Sequence, residues 1–78
     1  MTTKTRIIDA RHMLPPEPFE RVVEALATLG EGETVLLILE REPLPLYQFL
    51  DNNHYEWAAK SEPDGRVVVR IREPDTRD

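Results

Sequence analysis

The chain is predicted to fold as an α/β (α+β) two-layer sandwich of order βαβαββ, a four-stranded mixed sheet with two helices on one face. Three observations predict this. An amphipathic stretch over residues 16–29 lies between two apolar runs, 5–10 and 34–39. A second helical stretch, 44–52, follows a proline break. The last third alternates apolar and polar residues on both sides of Asp64-Gly65. Strands joined through a helix call for a right-handed crossover, and strands joined through Asp-Gly call for a hairpin. With both crossovers right-handed, the helices share one side of the sheet.

The first strand, 5–10, places Ile7 and Ile8 on opposite faces, with Asp9 near its end. In the first helix Phe19, Val22, Val23, Leu26 and Leu29 recur at three- and four-residue steps and form one apolar face. Glu20, Arg21, Glu24 and Thr28 form the other. Pro16 and Pro18 suit a first turn, whose N–H groups lack helical partners. Gly30 is expected to end the helix in a left-handed cap. After a turn at Glu31-Gly32-Glu33, the run Thr34-Val35-Leu36-Leu37-Ile38-Leu39 shows no alternation. That predicts an interior strand covered on both faces, or on one with the other partly wet.

Glu40-Arg41-Glu42-Pro43 breaks this strand. The second helix turns Leu46, Phe49 and Leu50 inward with Tyr47 at the edge, and Asp51-Asn52-Asn53 stops it. Over 54–60, Tyr55, Trp57 and Ala59 take one face and Glu56, Ala58 and Lys60 the other. Trp57 is expected to be buried against the first helix. Val67, Val69 and Ile71 point inward in the last strand, and Val68, Arg70 and Arg72 outward. The chain reads as one domain, 1–78, with an ordered core over about 5–72 and a polar tail over 73–78.

Composition narrows the chemistry. The 78 residues are 40% hydrophobic and 32% charged, which suits a small folded domain. Cysteine is absent, so the chain offers no disulfide, no thiolate ligand and no sulfur nucleophile. The formal net charge of −5 argues against nucleic-acid binding, which needs a basic surface to displace counterions. Neither a signal-peptide core nor an apolar run of membrane-spanning length is present, so a cytoplasmic location is expected.

The stretch Asp9-Ala10-Arg11-His12-Met13-Leu14-Pro15-Pro16-Glu17-Pro18 joins the first strand to the first helix, a place where α/β folds carry their ligand chemistry. Its ordered motifs, with others downstream, resemble the TusA/SirA-like fold, whose founding members are small sulfur carriers. Their signature Cys-Pro-x-Pro is matched at three positions by Pro15-Pro16-Glu17-Pro18, with Pro15 where the cysteine would stand. Closer still is the TusA-related domain-of-unknown-function family 2249. Its pattern is matched by Asp9-Ala10-Arg11, Pro15-Pro16-Glu17, Gly32-Glu33, Glu42-Pro43-Leu44-Pro45-Leu46 and Trp57. Many relatives carry a His where this chain has Arg41. The resemblance spans roughly residues 5 to 72 and implies the sheet order 1-2-4-3, with the apolar second strand inside.

Two candidate sites follow. One is the corner itself, Asp9, Arg11, His12, Pro15, Pro16 and Glu17. An anion cradle there is disfavoured, because cradles use backbone N–H groups that prolines lack and Glu17 adds negative charge. Arg11 is expected to pair with Asp9 or Glu17 and hold the corner. His12 and His54 share no metal-ligand spacing, so no metal or other cofactor is expected. Nor do a Ser-His-Asp set, a Gly-rich phosphate loop or paired acids mark a catalytic residue. The other candidate is the uncovered sheet face, where Lys60, Val68, Arg70 and Arg72, beside Glu56 and Ala58, suit docking to an acidic protein patch.

The expected function is that of a TusA-like domain lacking the carrier cysteine. It would be a non-catalytic protein-interaction or accessory module in sulfur, redox or metal-cofactor metabolism, with another protein as partner and neither nucleic acid nor membrane. A small enzyme or carrier using non-thiol chemistry, with Asp9, Arg11, His12 and Glu17 as its site, stays open.

Overall fold

A computed structural model describes residues 4–30 and 32–73. Its elements are β1 (Thr5–Asp9), α1 (Glu17–Ala27), β2 (Thr34–Leu39), α2 (Leu44–Asn52), β3 (Glu56–Ser61) and β4 (Val67–Arg72). The sheet runs β1-β2-β4-β3. β1 lies parallel to β2, while β4 lies antiparallel to both β2 and β3. The βαβαββ order and the 1-2-4-3 sheet agree with expectation. Within the expected turn Glu31 lies outside the described residues, as do residues 74–78 of the polar tail.

One face of the sheet meets both helices. Val35, Leu37 and Leu39 of β2, with Val67, Val69 and Ile71 of β4, are buried against Val22 and Leu26 of α1 and Leu46 and Leu50 of α2. Each such side chain, fully buried, contributes roughly 1.5–3 kcal/mol before ordering costs. The other face is uncovered, and there Leu36 and Ile38 are only half-buried. This explains the missing alternation in β2: one face is core, while the other is crowded by neighbouring strands.

Arg6 closes the βαβ unit. Its guanidinium donates to the Thr28 hydroxyl at 2.6 Å, the Thr28 carbonyl at 2.8 Å and Glu33 Oε1 at 3.0 Å. One side chain thus ties β1, the end of α1 and the approach to β2. The Gly30 N–H also donates to Glu33 Oε1, and a Cβ on Gly30 would meet that oxygen at 3.3 Å. The expected left-handed cap at Gly30 is therefore wrong. α1 ends at Ala27 with Thr28 at φ −116°, and the positive φ falls at Gly32, +81°. Gly30 instead lets a carboxylate come close to the backbone.

Two aromatic placements differ from expectation. Tyr47 is buried rather than at the edge of α2. Trp57 packs on α2 rather than α1, its ring stacked on Tyr47 at 4.1 Å and 10° between planes. Its indole N–H donates to Asp51 Oδ1 at 2.8 Å, at the end of the same helix. The cause is strand order: β3 is an edge strand beneath α2, beyond the reach of α1. Ala59, expected inside, is exposed for the same reason. Tyr55 precedes β3, and its N–H donates to the Leu50 carbonyl at 2.9 Å. The Asp64-Gly65 hairpin is as expected, with Gly65 at φ +97°.

Candidate functional site

The corner begins at the C-terminal end of β1. Asp9 accepts from Arg11 Nε at 2.9 Å and Nη2 at 2.7 Å, and from the Arg11 backbone N–H at 3.2 Å. These bonds hold the Asp9 carboxyl well below the usual carboxylate range and raise the Arg11 pKa. Of the two acids considered for Arg11, the structure selects Asp9. Glu17 instead lies 3.7 Å from Arg21, one helical turn along α1.

No cradle of N–H groups opens at the start of α1. Pro15, Pro16 and Pro18 have no N–H to offer, and the Glu17 N–H donates to the Leu14 carbonyl at 2.9 Å. The corner carries a groove instead, with a volume of about 670 Å³. Along one wall run Arg11, Met13, Leu14 and Pro15–Phe19 in part; along the other run Glu40, Arg41, Glu42 and Pro45. Its floor is Leu37, Leu39 and Leu46. Both walls follow the C-terminal ends of parallel neighbours, β1 and β2, so their loops open at the same sheet edge.

Of the six corner residues, Arg11, Pro15 and Pro16 line this groove, Asp9 positions Arg11, and His12 and Glu17 are exposed. Met13 and Leu14, within the same corner stretch, also line the groove; Arg41 was not grouped with the corner from sequence, although the two parallel-strand ends supplied that signal. Arg41 makes no ion pair among the described residues. Histidine gives no cluster: His12 follows the Asp9 end of the sheet, whereas His54 precedes Glu56 at the opposite end. Among the described residues no group of three or more His, Asp or Glu is placed to hold a metal.

The uncovered sheet face is the second site. Strand register arranges it in three rows. Thr5, Thr34, Arg72 and Glu56 form the first; Ile7, Leu36, Arg70 and Ala58 the second; Asp9, Ile38, Val68 and Lys60 the third. Lys60, Val68, Arg70 and Arg72 thus stand on one surface, as the alternation of β3 and β4 requires. The same surface takes in Ile7, Leu36 and Ile38, which were read only as strand residues; the parallel pairing of β1 and β2 brings them in. Ile7 is 65% exposed. Arg72 donates to Glu56 Oε1 at 2.6 Å, and Lys60 lies 3.8 Å from Glu62. Arg70, in the middle row, has no ion-pair partner among the described residues. A shallow hollow of about 620 Å³ lies over Thr34, Leu36, Ala58, Arg70 and Arg72.

A family model described as an uncharacterized conserved protein, DUF2249, matches residues 7–73. The crystal structure of a SirA-like protein from Desulfitobacterium hafniense superposes with a TM-score of 0.78 at 25% sequence identity. That alignment covers 94% of this chain and 100% of the other. No curated protein matches the sequence. Among the described residues, no helix is long and apolar enough to cross a membrane.

Proposed function

We propose that this chain, which belongs to the uncharacterized conserved family DUF2249, works as a non-catalytic accessory module that docks to protein through its open sheet face. The observation that carries this reading is an open sheet face of mixed apolar and cationic side chains on a chain that lacks the carrier cysteine. Pro15 stands where the resembling sulfur carriers have their cysteine, and the chain has no other. The open face meanwhile combines Ile7, Leu36, Ile38 and Val68 with three cations, and apolar area within a polar rim is the usual anatomy of an interface. Likeness to TusA/SirA-like carriers supports a place in sulfur, redox or metal-cofactor metabolism in the cytoplasm.

The test uses a photo-crosslinking side chain installed at Val68, on the face, or at Glu20, on the solvent side of α1, in the source cell. Capture at Val68 well above that at Glu20 is expected; equal capture at both would overturn the reading. A second reading, a small enzyme or carrier at the corner, has one observation behind it: the apolar groove with Arg41, which makes no ion pair among the described residues. A small molecule bound in that groove and released by Arg41→Ala, with no selective capture at Val68, would favour that reading over docking.

A further inference from the structure

We propose that the open sheet face seats a second copy of this chain, about a two-fold axis running along the strands. This rests on the face being a docking surface, and it names the occupant. In aligned packing, two stacked sheets keep their strands within about 30° of each other, and a two-fold axis lying in the interface then runs either along the strands or across them.

Along the strands, the axis lays β1 over the partner's β3 and β2 over the partner's β4, with each row over itself. Asp9 then meets Lys60 of the partner subunit, an anion against a cation. Ile38 meets the partner's Val68, Ile7 the partner's Ala58, and Leu36 the partner's Arg70. The first row sets Thr34 against the partner's Arg72 and Thr5 against the partner's Glu56, hydroxyls against charged hydrogen-bonding groups. No position faces a like charge. Across the strands, the axis would set Arg70 against the partner's Arg70 at the centre of the contact, where like charges cost most. Register therefore selects the axis along the strands.

The extent of the face sets the strength. Four strands about 4.8 Å apart, each of five or six residues rising about 3.3 Å, give a footprint of roughly 20 by 20 Å. Two such faces bury on the order of 1,000 Å² in total, the lower bound for a specific interface. Such a pair forms reversibly, with a Kd in the range of about micromolar to millimolar.

The test is sedimentation of the purified chain over a concentration range spanning about 1 μM to 1 mM. The average mass is expected to climb from one chain toward two. Lys60→Asp places a carboxylate against Asp9 of the partner subunit and should weaken association about tenfold; adding Asp9→Lys should recover most of that loss. Ile7→Asp, at an exposed edge-strand position outside the core, should weaken it by a similar factor, with circular dichroism reporting that each variant is folded. A chain monomeric throughout the range, or a dimer unmoved by Ile7→Asp and Lys60→Asp, overturns the proposal. If the pure chain stays monomeric while Val68 captures a different protein in cells, the second copy fails and docking through this face stands. Monomer together with no selective capture at Val68 removes both.

Discussion

Replacing Tyr47 by Phe should make the protein more stable, although it deletes a polar group and adds no contact. The Tyr47 ring is buried in the core and stacked on Trp57, and its hydroxyl oxygen is buried with no hydrogen-bond partner among the described residues. A buried hydroxyl without a partner costs about 1–3 kcal/mol relative to its hydrated state in the unfolded chain. Phe keeps the ring, the stack and the packing volume, so the variant should gain about 1 kcal/mol or more. For a domain of this size that corresponds to a Tm rise of about 4–8 °C, or a higher urea midpoint at an unchanged slope.

A second signature comes from pH. Burial, then the nearby Glu42, raises the Tyr47 pKa above its ordinary 10.0. A raised folded-state pKa keeps its share of stability below the unfolded value and loses it as pH rises through the folded one. The natural chain should therefore lose stability above about pH 10 in a component that Tyr47→Phe lacks. Denaturation midpoints of both proteins, measured from neutral to alkaline pH, check this. A lower midpoint in Tyr47→Phe at neutral pH would refute the reasoning, because it would mean that the hydroxyl is satisfied.

Three further outcomes are expected. Trp57→Ala removes the stack and the Asp51 hydrogen bond from a half-buried edge position, so it should cost about 2–4 kcal/mol, read from the denaturant midpoint. Glu33 is held below its ordinary 4.5, first by the Gly30 N–H and then by Arg6. Its contribution is present above about pH 4.5 and lost as pH falls through the folded value, so Glu33→Gln should flatten the acid limb of the stability curve. Pro15→Cys would place a thiol just ahead of α1, and the helix dipole should bring its titration below about 8.5, with Glu17 limiting the shift. A thiol titrating at or above that value in a folded variant would show that the corner's electrostatics no longer favour an anion.

Legibility in the sequence followed the range of the interactions. The alternation of Val67, Val69 and Ile71 is a property of one strand, and the face of α1 is a property of one helix; both could be read directly. The run of β2 could be read as interior because no alternation survives when neighbours crowd the second face. Gly30 could not, since its role depends on Glu33 folding back onto the backbone beside Arg6. The partner of Trp57 was misread even though the 1-2-4-3 order implied by the resemblance already puts β3 beyond β4, because the period of one strand does not say which helix lies over it. The groove was half legible: the corner marked one wall, but Arg41 joins it only because β1 and β2 end at the same edge. The open face was likewise read from β3 and β4 alone, and its apolar half arrives with the register of β1 and β2.

The sheet order has a consequence for how copies of this chain can meet. It leaves β1 and β3 as the two edges, each with a row of backbone groups free to pair with another strand. Strand addition at an edge creates a fresh edge at the far side, so growth by that route has no natural end. Both edges carry charge, Arg6 and Asp9 on β1 and Glu56 and Lys60 on β3, which disfavours addition. Contact through the face behaves differently. Two copies that meet there cover each other's open face and leave no such face for a third, so assembly through the face stops at the pair.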